Sequence, residues 1–240
     1  MIHPDTELRF VSPAVGFGVF ATAAIPRGTL LWVACHFDRV LTATEVDGMG
    51  ADYRAVLERY AYVDSAGDYN LCWDLARRLN HSCEPSMRGL GQQFDIAVRD
   101  IAAGEQITCE YGVLNLSGSL RCACGAPTCR GTVRGDDAMR LWDAWDAEIL
   151  ASLPRARHVP QPLLPFARAA VPFLALGRRQ RALPEHAPRL CGALRPKMST
   201  SRTTHGRFVR HDHRHDDVAC LASSAGCRPW CADTGRPSFS

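Results

Sequence analysis

The sequence contains very little lysine. Lys197 is the only lysine among the 240 residues, whereas arginine occurs 27 times. A bias toward GC-rich codons accounts for this imbalance, because it replaces lysine by arginine without any demand from the fold. The consequence is chemical: covalent modification of lysine has a single target in this chain.

Long apolar runs are also missing. The longest apolar stretch, 163–177, is interrupted by Pro165, Arg168 and Pro172, whereas a helix that spans a bilayer needs about 20 apolar residues in a row. The first ten residues carry charges where a secretory leader has its apolar segment. We therefore expect a soluble protein without membrane contact, intracellular and cytoplasmic.

The net charge of +3 hides two parts of opposite sign. Residues 1–153 hold 13 arginines and 20 acidic residues, a net charge of −7, whereas residues 154–240 hold 15 basic and 5 acidic residues, a net charge of +10. The acidic part favours basic partners, and contact with nucleic acid is open only to the basic part.

Some helix around 166–176 is compatible with the sequence. Because apolar periodicity is weak after residue 153, we expect 154–240 to be a basic, largely disordered tail.

Eleven cysteines are present, and without an export signal they favour metal binding or buried thiols over disulfides. Cys122, Cys124 and Cys129 form a C-x-C-x4-C cluster, but a closed structural zinc site needs four ligands. Cys83 is the best-placed fourth ligand. The alternative is a set of unrelated buried or surface thiols.

Cys83 belongs to a short polar segment, 79–85, with the sequence LNHSCEP. An amide, an imidazole, a hydroxyl and a thiol in a row rarely pack a core, because each buried polar group needs its own partner. From this segment alone, Cys83 is a zinc ligand, a nucleophile or a buried thiol.

The pattern of apolar and turn residues predicts a mainly β protein with a few helices. Residues 16–33 indicate two strands joined by a turn at 26–28, and residues 94–112 indicate strands with a turn at 103–104. Thr42 and Glu45 match a capping box ahead of a helix in which Tyr53, Val56, Leu57 and Tyr60 recur at helical spacing. A second helix is expected over 136–153, with Asp136 or Asp137 at its start and Leu141, Trp142, Trp145 and Ile149 covering a core.

Four motifs occur in order along the chain: GFGVFATAAIPRGT, RRLNHSCEP, GEQITCEYG and CACGAPTCRG. Together they resemble the SET-domain protein lysine methyltransferases with a post-SET zinc-binding segment, over about residues 6–134. The resemblance implies a SET domain at 6–112 and a post-SET zinc segment at 118–134, with the helix at 136–153 beyond it. It also implies short β-sheets around a threaded, knot-like C-terminal segment, an arrangement uncommon among folds.

The resemblance also implies roles for individual residues. Tyr111 corresponds to the catalytic tyrosine of the family, which lines a narrow channel that aligns an uncharged lysine amine with the methyl group. The remaining implied sites are S-adenosyl-L-methionine binding by Gly16, Phe17, Gly18, Asn80, His81 and Tyr111, and structural Zn²⁺ binding by Cys83, Cys122, Cys124 and Cys129. Tyr62 and Tyr69 are either further channel aromatics or packing residues.

The implied activity is methyl transfer from S-adenosyl-L-methionine to the lysine amine of a basic protein or peptide. Three positions depart from the family pattern: Ser86 stands for the usual Asn, Glu110 for Asp, and Arg78 for an aromatic residue. Ser86 is expected to loosen a local turn.

Two alternatives belong to other functional classes. One is a non-catalytic SET-like module that binds a peptide or partner, against which the retained Tyr111, Asn80 and His81 argue. The other is a thiol redox or metal-sensing protein, which rests on the cysteine count alone.

Overall fold

The computed structural model of the chain describes residues 1–114, 116 and 118–167. As the sequence predicts, this part is mainly β with few helices. The strands are β1 Thr6–Ser12, β2 Gly16–Ala21, β3 Leu30–Val33, β4 Arg39–Leu41, β5 Ala61–Val63, β6 Tyr69–Leu71, β7 Asn80–His81, β8 Met87–Leu90, β9 Phe94–Ala97, β10 Gln106–Cys109, β11 Ser119–Arg121 and β12 Thr132–Arg134. The α-helices are α1 Ala43–Asp47, α2 Ala51–Tyr60 and α3 Asp137–Ser152, and 3₁₀ turns occupy Leu75–Arg78, Tyr111–Val113, Leu153–Arg157 and Leu164–Phe166.

The strands form four small sheets. The sheet that positions the candidate site has the order β1-β2-β10-β7. Its β7 strand pairs with β10 in parallel, so that Asn80 lies opposite Thr108 and His81 opposite Cys109. This pairing sets the polar segment 79–85 beside the strand that leads into Tyr111. The other sheets are β3-β9-β8, β4-β6-β5 and β11-β12.

The turn between β2 and β3 forms where the sequence predicts it. The Thr29 amide donates to the Pro26 carbonyl at 3.2 Å. Gly28 has φ of +94°, a left-handed conformation that favours glycine. A Cβ at position 28 would also lie 2.9 Å from the backbone nitrogen of Ala156. Glycine is therefore required both by the turn and by the chain that packs over it.

The capping box at the start of α1 is confirmed. The Glu45 amide donates to Oγ1 of Thr42 at 3.2 Å, and the Thr42 amide donates to Oε2 of Glu45 at 2.7 Å.

The helix predicted after the capping box is α2, but it buries fewer side chains than its apolar periodicity indicates. Leu57 is buried, whereas Tyr53 is 72% exposed. The core under α2 is a small cluster around Leu57 and Val46, separate from the main core.

Helix α3 packs on the core through the face that the sequence predicts. Trp145 and Ile149 are buried beside Leu30 of β3. The start of the helix differs in detail, because Asp136 makes no side-chain hydrogen bond to the first turn. Asp137 instead turns inward and accepts a bond of 2.9 Å from the Arg134 amide.

The chain from 154 to 167 packs against the folded part that precedes it. Ala156 and Leu163 are each 1% exposed. The Gln161 side chain accepts from the Leu30 amide at 2.8 Å and donates to the Gly28 carbonyl at 2.8 Å. These hydrogen bonds connect distant parts of the chain, and apolar periodicity does not reveal them. Residues 168–240, and with them the rest of the predicted tail, lie outside the described residues.

Two further expectations concern membranes and threading. Within the residues described, no helix has both the length and the apolar character that crossing a bilayer requires. The knot-like threading of the segment beside β10 stays a prediction.

Candidate functional site

The backbone amide and the side-chain hydroxyl of Tyr111 both form hydrogen bonds with the segment that carries Asn80 and His81. Its hydroxyl donates to the Leu79 carbonyl at 2.7 Å, and its amide donates to Nδ1 of His81 at 3.2 Å. The imidazole and phenol rings lie 5.4 Å apart between centroids. The parallel pairing of β7 with β10 produces this contact, because it sets the ends of the two strands side by side.

Burial determines the protonation of both side chains. It raises the pKa of the Tyr111 hydroxyl well above its usual range, so the phenol stays neutral near pH 7. Burial also lowers the pKa of His81, against the opposing charge of Glu110. Nδ1 of His81 accepts from the Tyr111 amide, and Nε2 faces Cys83 Sγ at 3.4 Å and Nη2 of Arg130 at 3.5 Å.

The glycine-rich turn at the start of β2 lies against the amide of Asn80. Nδ2 of Asn80 donates to the Phe17 carbonyl at 3.1 Å. A Cβ at Gly18 would lie 2.8 Å from the same Nδ2, and Gly16 has φ of +80°. Position 16 therefore requires glycine for its conformation and position 18 for close approach. The structure brings Gly16, Phe17, Gly18 and Asn80 together, as the sequence resemblance implies.

The four predicted cysteines converge. The Sγ atoms of Cys83, Cys122, Cys124 and Cys129 all lie within 4.8 Å of one another. Cys122 Sγ is 3.9 Å from Cys83 Sγ and 3.7 Å from Cys129 Sγ. A tetrahedron of thiolates at about 2.3 Å from zinc has sulfur atoms about 3.8 Å apart. The arrangement could hold a metal ion, and its spacing fits a tetrahedral one.

Backbone amides around the cluster favour the thiolate of Cys124, whereas burial raises the pKa of the Cys83 thiol and raises the pKa of Cys122 to about 12. The Cys83 amide points at Cys124 Sγ at 3.4 Å, and the Arg130 amide points at Cys83 Sγ at 3.3 Å. Although burial opposes ionisation, the amides of Cys83 and Ala126 lower the pKa of Cys124 to about 6. A lowered thiol pKa suits a metal ligand, because the deprotonated sulfur is the one that coordinates.

The hairpin of β11 and β12 presents three of these cysteines. Leu120 lies opposite Val133 in the hairpin, and the Cys122 amide donates to the Gly131 carbonyl at 2.9 Å. Oε1 of Glu84 accepts from the Thr128 hydroxyl at 2.7 Å, which fastens the cysteine segment to the segment of Cys83. The hairpin therefore closes onto the body beside His81.

A buried charge cluster, unrecognised in the sequence, lies behind these residues. Glu110 is 3% exposed and accepts from Arg130 at 2.7 Å and from Arg88 at 3.4 Å. Arg88 also bonds Glu148 of α3 with both ends of its guanidinium, at 2.8 and 3.2 Å. The sequence offered one signal, the glutamate where the resembling family usually has aspartate. Nothing in the local pattern around Arg88 or Arg130 marks them as partners.

The other two departures are also accounted for. The Ser86 hydroxyl accepts from the Thr108 amide at 2.9 Å and donates to the Thr108 carbonyl at 3.3 Å. The Ser86 hydroxyl thus fastens its turn to β10, and whether it loosens that turn relative to the usual Asn stays a prediction. Arg78 lies over the Tyr60 ring at 4.3 Å and donates to the Tyr60 hydroxyl at 2.8 Å.

Tyr62 and Tyr69 differ in their surroundings. Tyr62 packs against the main core, which also contains Leu79 and Cys109, and its ring meets Trp32 edge-on at 6.1 Å. Tyr69 packs in the small cluster under α2. Tyr62 therefore shares a core with the Tyr111 environment, and Tyr69 is a packing residue of the satellite cluster.

Residues 16–112 match the protein-family model described as SET domain. The match begins at the glycine turn of β2 and ends just after Tyr111, so it includes every cofactor-binding residue that the sequence resemblance implies. The four cysteines fall partly outside it, because three of them follow residue 112.

Relatives of the SET domain include histone-lysine methyltransferases. "Histone-lysine N-methyltransferase, H3 lysine-4 specific" of Schizosaccharomyces pombe is 34% identical over 92 residues, which cover 35% of this chain and 10% of that protein. "Histone-lysine N-methyltransferase ATX2" of Arabidopsis thaliana is 37% identical over 71 residues, 27% of this chain and 7% of that protein. The chain thus matches a tenth or less of the length of these two curated relatives.

Among solved structures, the methyltransferase domain of human histone-lysine N-methyltransferase SETMAR is similar. It has 21% sequence identity and a TM-score of 0.40, covering 56% of this chain and 58% of that chain.

Proposed function

We propose that this protein is an S-adenosyl-L-methionine-dependent protein-lysine N-methyltransferase. The observation that carries the proposal is the bonding of Tyr111 to the segment of Asn80 and His81, within a matched SET domain. A glycine turn, an amide and an imidazole form a donor and acceptor set suited to an amino acid and an adenine. At Gly16 nothing lies within 4 Å of the position that a Cβ would take, so the main chain there is uncovered for such contacts.

S-adenosyl-L-methionine, when bound, supplies a methyl group on a sulfonium, and no metal is needed for its transfer. In this role Gly16, Phe17, Gly18, Asn80 and His81 bind and orient the cofactor. Neutral His81 adds a hydrogen-bonding group without adding charge. These residues position the donor, and the remaining chemistry falls to the environment of Tyr111.

Tyr111 acts as a neutral hydrogen-bonding group rather than as a base. Its hydroxyl hydrogen is committed to the Leu79 carbonyl, so the phenol oxygen is left to accept from an amine N–H or a polarised methyl C–H. Its raised pKa keeps it protonated, so it does not take the proton from lysine. A buried lysine amine loses its proton more readily, because desolvation disfavours the ammonium form.

Cys83, Cys122, Cys124 and Cys129 are proposed to hold one structural Zn²⁺ as four thiolates. The ion would close the segment 118–134 onto the body as a post-SET flap. Its contribution is structural, because a closed four-thiolate site leaves no open position for substrate. The flap borders His81, so metal loading stabilises one wall of the cofactor site.

The proposed substrate is a lysine in a basic protein or peptide, such as a histone-like tail. Residues 1–153 carry a net charge of −7 and so attract such a segment. Two relatives named above are histone-lysine methyltransferases by their printed names. We place the reaction inside the cell, in the cytoplasm, without a membrane, and reserve any nucleic-acid contact for the basic residues 154–240.

The test is transfer of tritium from labelled S-adenosyl-L-methionine to an array of basic lysine peptides. Wild type should label a subset of peptides, and Tyr111→Phe should lose or alter that labelling. Tyr53→Phe is the matched control, because Tyr53 is 72% exposed and distant from the cofactor segment in sequence. Zinc-loaded protein that neither labels a peptide nor binds the cofactor would support the non-catalytic binding module instead. Reversible thiol oxidation without cofactor binding would support a redox or metal-sensing role.

A further inference from the structure

We infer that Glu110 is a positioning residue for Tyr111, held in place by Arg88 of the body and Arg130 of the cysteine segment. Glu110 directly precedes the 3₁₀ turn Tyr111–Val113. Its Oε1 accepts from the Gly112 amide at 2.7 Å, which caps that turn. The side chain therefore fixes the backbone immediately on the far side of Tyr111.

The two arginines fix the carboxylate in turn. Arg130 donates to Oε1 at 2.7 Å, and Arg88 donates to Oε2 at 3.4 Å. Arg130 follows the last ligating cysteine, and its own amide points at Cys83 Sγ at 3.3 Å. Glu110 thus joins three parts of the molecule: the Tyr111 turn, the body and the cysteine segment.

The effect of removing the charge follows from counting donors. Both oxygens of Glu110 accept, and the three groups that face them are all donors. In Glu110→Gln one oxygen becomes an NH₂, so at least one of the three contacts becomes donor against donor. The amide can keep its oxygen on Gly112 and Arg130 only by turning its NH₂ toward Arg88, so the capping group loses its attachment to Arg88. The turn is then held less firmly, and with it the tyrosine hydroxyl.

The variant is expected to fold, because each arginine keeps another carboxylate. Arg88 retains Glu148 at 2.8 Å, and Arg130 retains Asp137 at 3.4 Å. Glu148→Gln is the matched control. It makes the same change of group on the same Arg88 but touches neither Gly112 nor Tyr111.

The first readout is kinetic and rests on the proposed function. Glu110→Gln should lower kcat by about 10- to 100-fold, the cost of a misplacement near 1 Å, with KM for cofactor and peptide within about twofold. Glu110→Asp keeps two acceptor oxygens and can cap the same amide, so it should restore most of kcat. Glu148→Gln should leave kcat near wild type.

The second readout does not require activity. Protein labelled with 3-fluorotyrosine is followed by ¹⁹F NMR, with the Tyr111 signal assigned by its loss in Tyr111→Phe. We expect that signal to broaden or split in Glu110→Gln, and to stay single and sharp in Glu148→Gln and Glu110→Asp. A small shift without broadening reflects the charge change alone and counts against the inference.

The outcomes separate the two proposals. If wild type labels no peptide, the ¹⁹F signal alone decides the role of Glu110, and the proposed function fails when cofactor binding is absent as well. The positioning role is overturned if Glu110→Gln and Glu148→Gln behave alike in both readouts. It is equally overturned if Glu110→Asp is as impaired as Glu110→Gln.

Discussion

Oε1 of Gln161 accepts a hydrogen bond of 2.8 Å from the backbone amide of Leu30. The same side chain donates to the carbonyls of Gly28 and Ala156, at 2.8 and 2.9 Å. One glutamine therefore satisfies three backbone groups: one in β3, one in the turn before it and one in the 3₁₀ turn Leu153–Arg157. It also holds the chain beyond α3 against β3 and the turn before it.

Gln161→Ala should lower the free energy of unfolding by at least about 2 kcal/mol, because it leaves buried backbone groups without hydrogen-bond partners. Urea unfolding followed by circular dichroism measures the loss. Gln93→Ala is the control, since the Gln93 side chain is exposed, and it should cost no more than about 0.5 kcal/mol. Equal losses for the two variants would mean that Gln161 is not a fastening point.

Gly18→Ala should weaken binding of S-adenosylhomocysteine by at least about tenfold. The added Cβ would lie 2.4 Å from Nε2 of Gln106 and 2.8 Å from Nδ2 of Asn80, so both side-chain amides would have to move away from the glycine turn. Isothermal titration calorimetry gives the affinity. Gly50→Ala is the control, because a Cβ at position 50 meets nothing within 4 Å. Unchanged affinity in Gly18→Ala would remove Asn80 and this turn from the proposed cofactor site.

Cys122→Ser should lose most of the metal that wild type carries, about one zinc ion per chain after purification with zinc. Serine cannot replace the thiolate whose sulfur lies centrally between Cys83 and Cys129. Elemental analysis after gel filtration measures the content. Cys35→Ala removes a buried thiol outside the four-cysteine cluster and should retain the metal. A full equivalent of zinc in Cys122→Ser would contradict the assigned ligands.

Asp95 should make stability depend on pH. Burial raises the pKa of its carboxyl to about 7, against 3.8 as the ordinary value. The unfolded chain then releases this proton at lower pH than the folded protein, so the free energy of unfolding falls as the pH rises from about 4 to about 7 and levels off above. The total change is on the order of a few kcal/mol.

Asp95→Asn should flatten that decline, because the amide has no proton to release. Urea unfolding at pH 5, 6, 7 and 8, with zinc present throughout, gives the comparison, and the metal contribution cancels between variants. Asp52→Asn, an exposed change at the start of α2, should keep the wild-type slope. Parallel curves for wild type and Asp95→Asn would place the titrating group elsewhere.

Local chemistry explains which parts of this structure are predictable from sequence. The capping box of Thr42 and Glu45 and the turn at Gly28 depend on neighbours in the chain, so the pattern reveals them. The convergence of Cys83 with the later cysteines was also predicted, because zinc requires a fourth ligand and few candidates exist.

Contacts between distant residues account for what the sequence did not predict. Nothing in the local sequence marks Arg88 or Arg130 as a partner of Glu110, and the fold shows that both face it. The segment 154–167 lacks periodicity, since Gln161 and two short turns fix it rather than an amphipathic face. Burial and contacts between distant residues determine where these side chains and this segment lie, and a short stretch of sequence reveals neither.

The parallel pairing of β7 with β10 has a consequence for the order of folding. The hairpins β1–β2 and β8–β9 join strands that follow one another, so they close small loops at little entropic cost. The β7–β10 pair closes only around β8 and β9, and non-local pairings of this kind form slowly. Asn80 and His81 should therefore meet Tyr111 late. A chain still emerging from the ribosome would form its hairpins before it forms a cofactor site. Binding of the cofactor would therefore indicate that folding is complete.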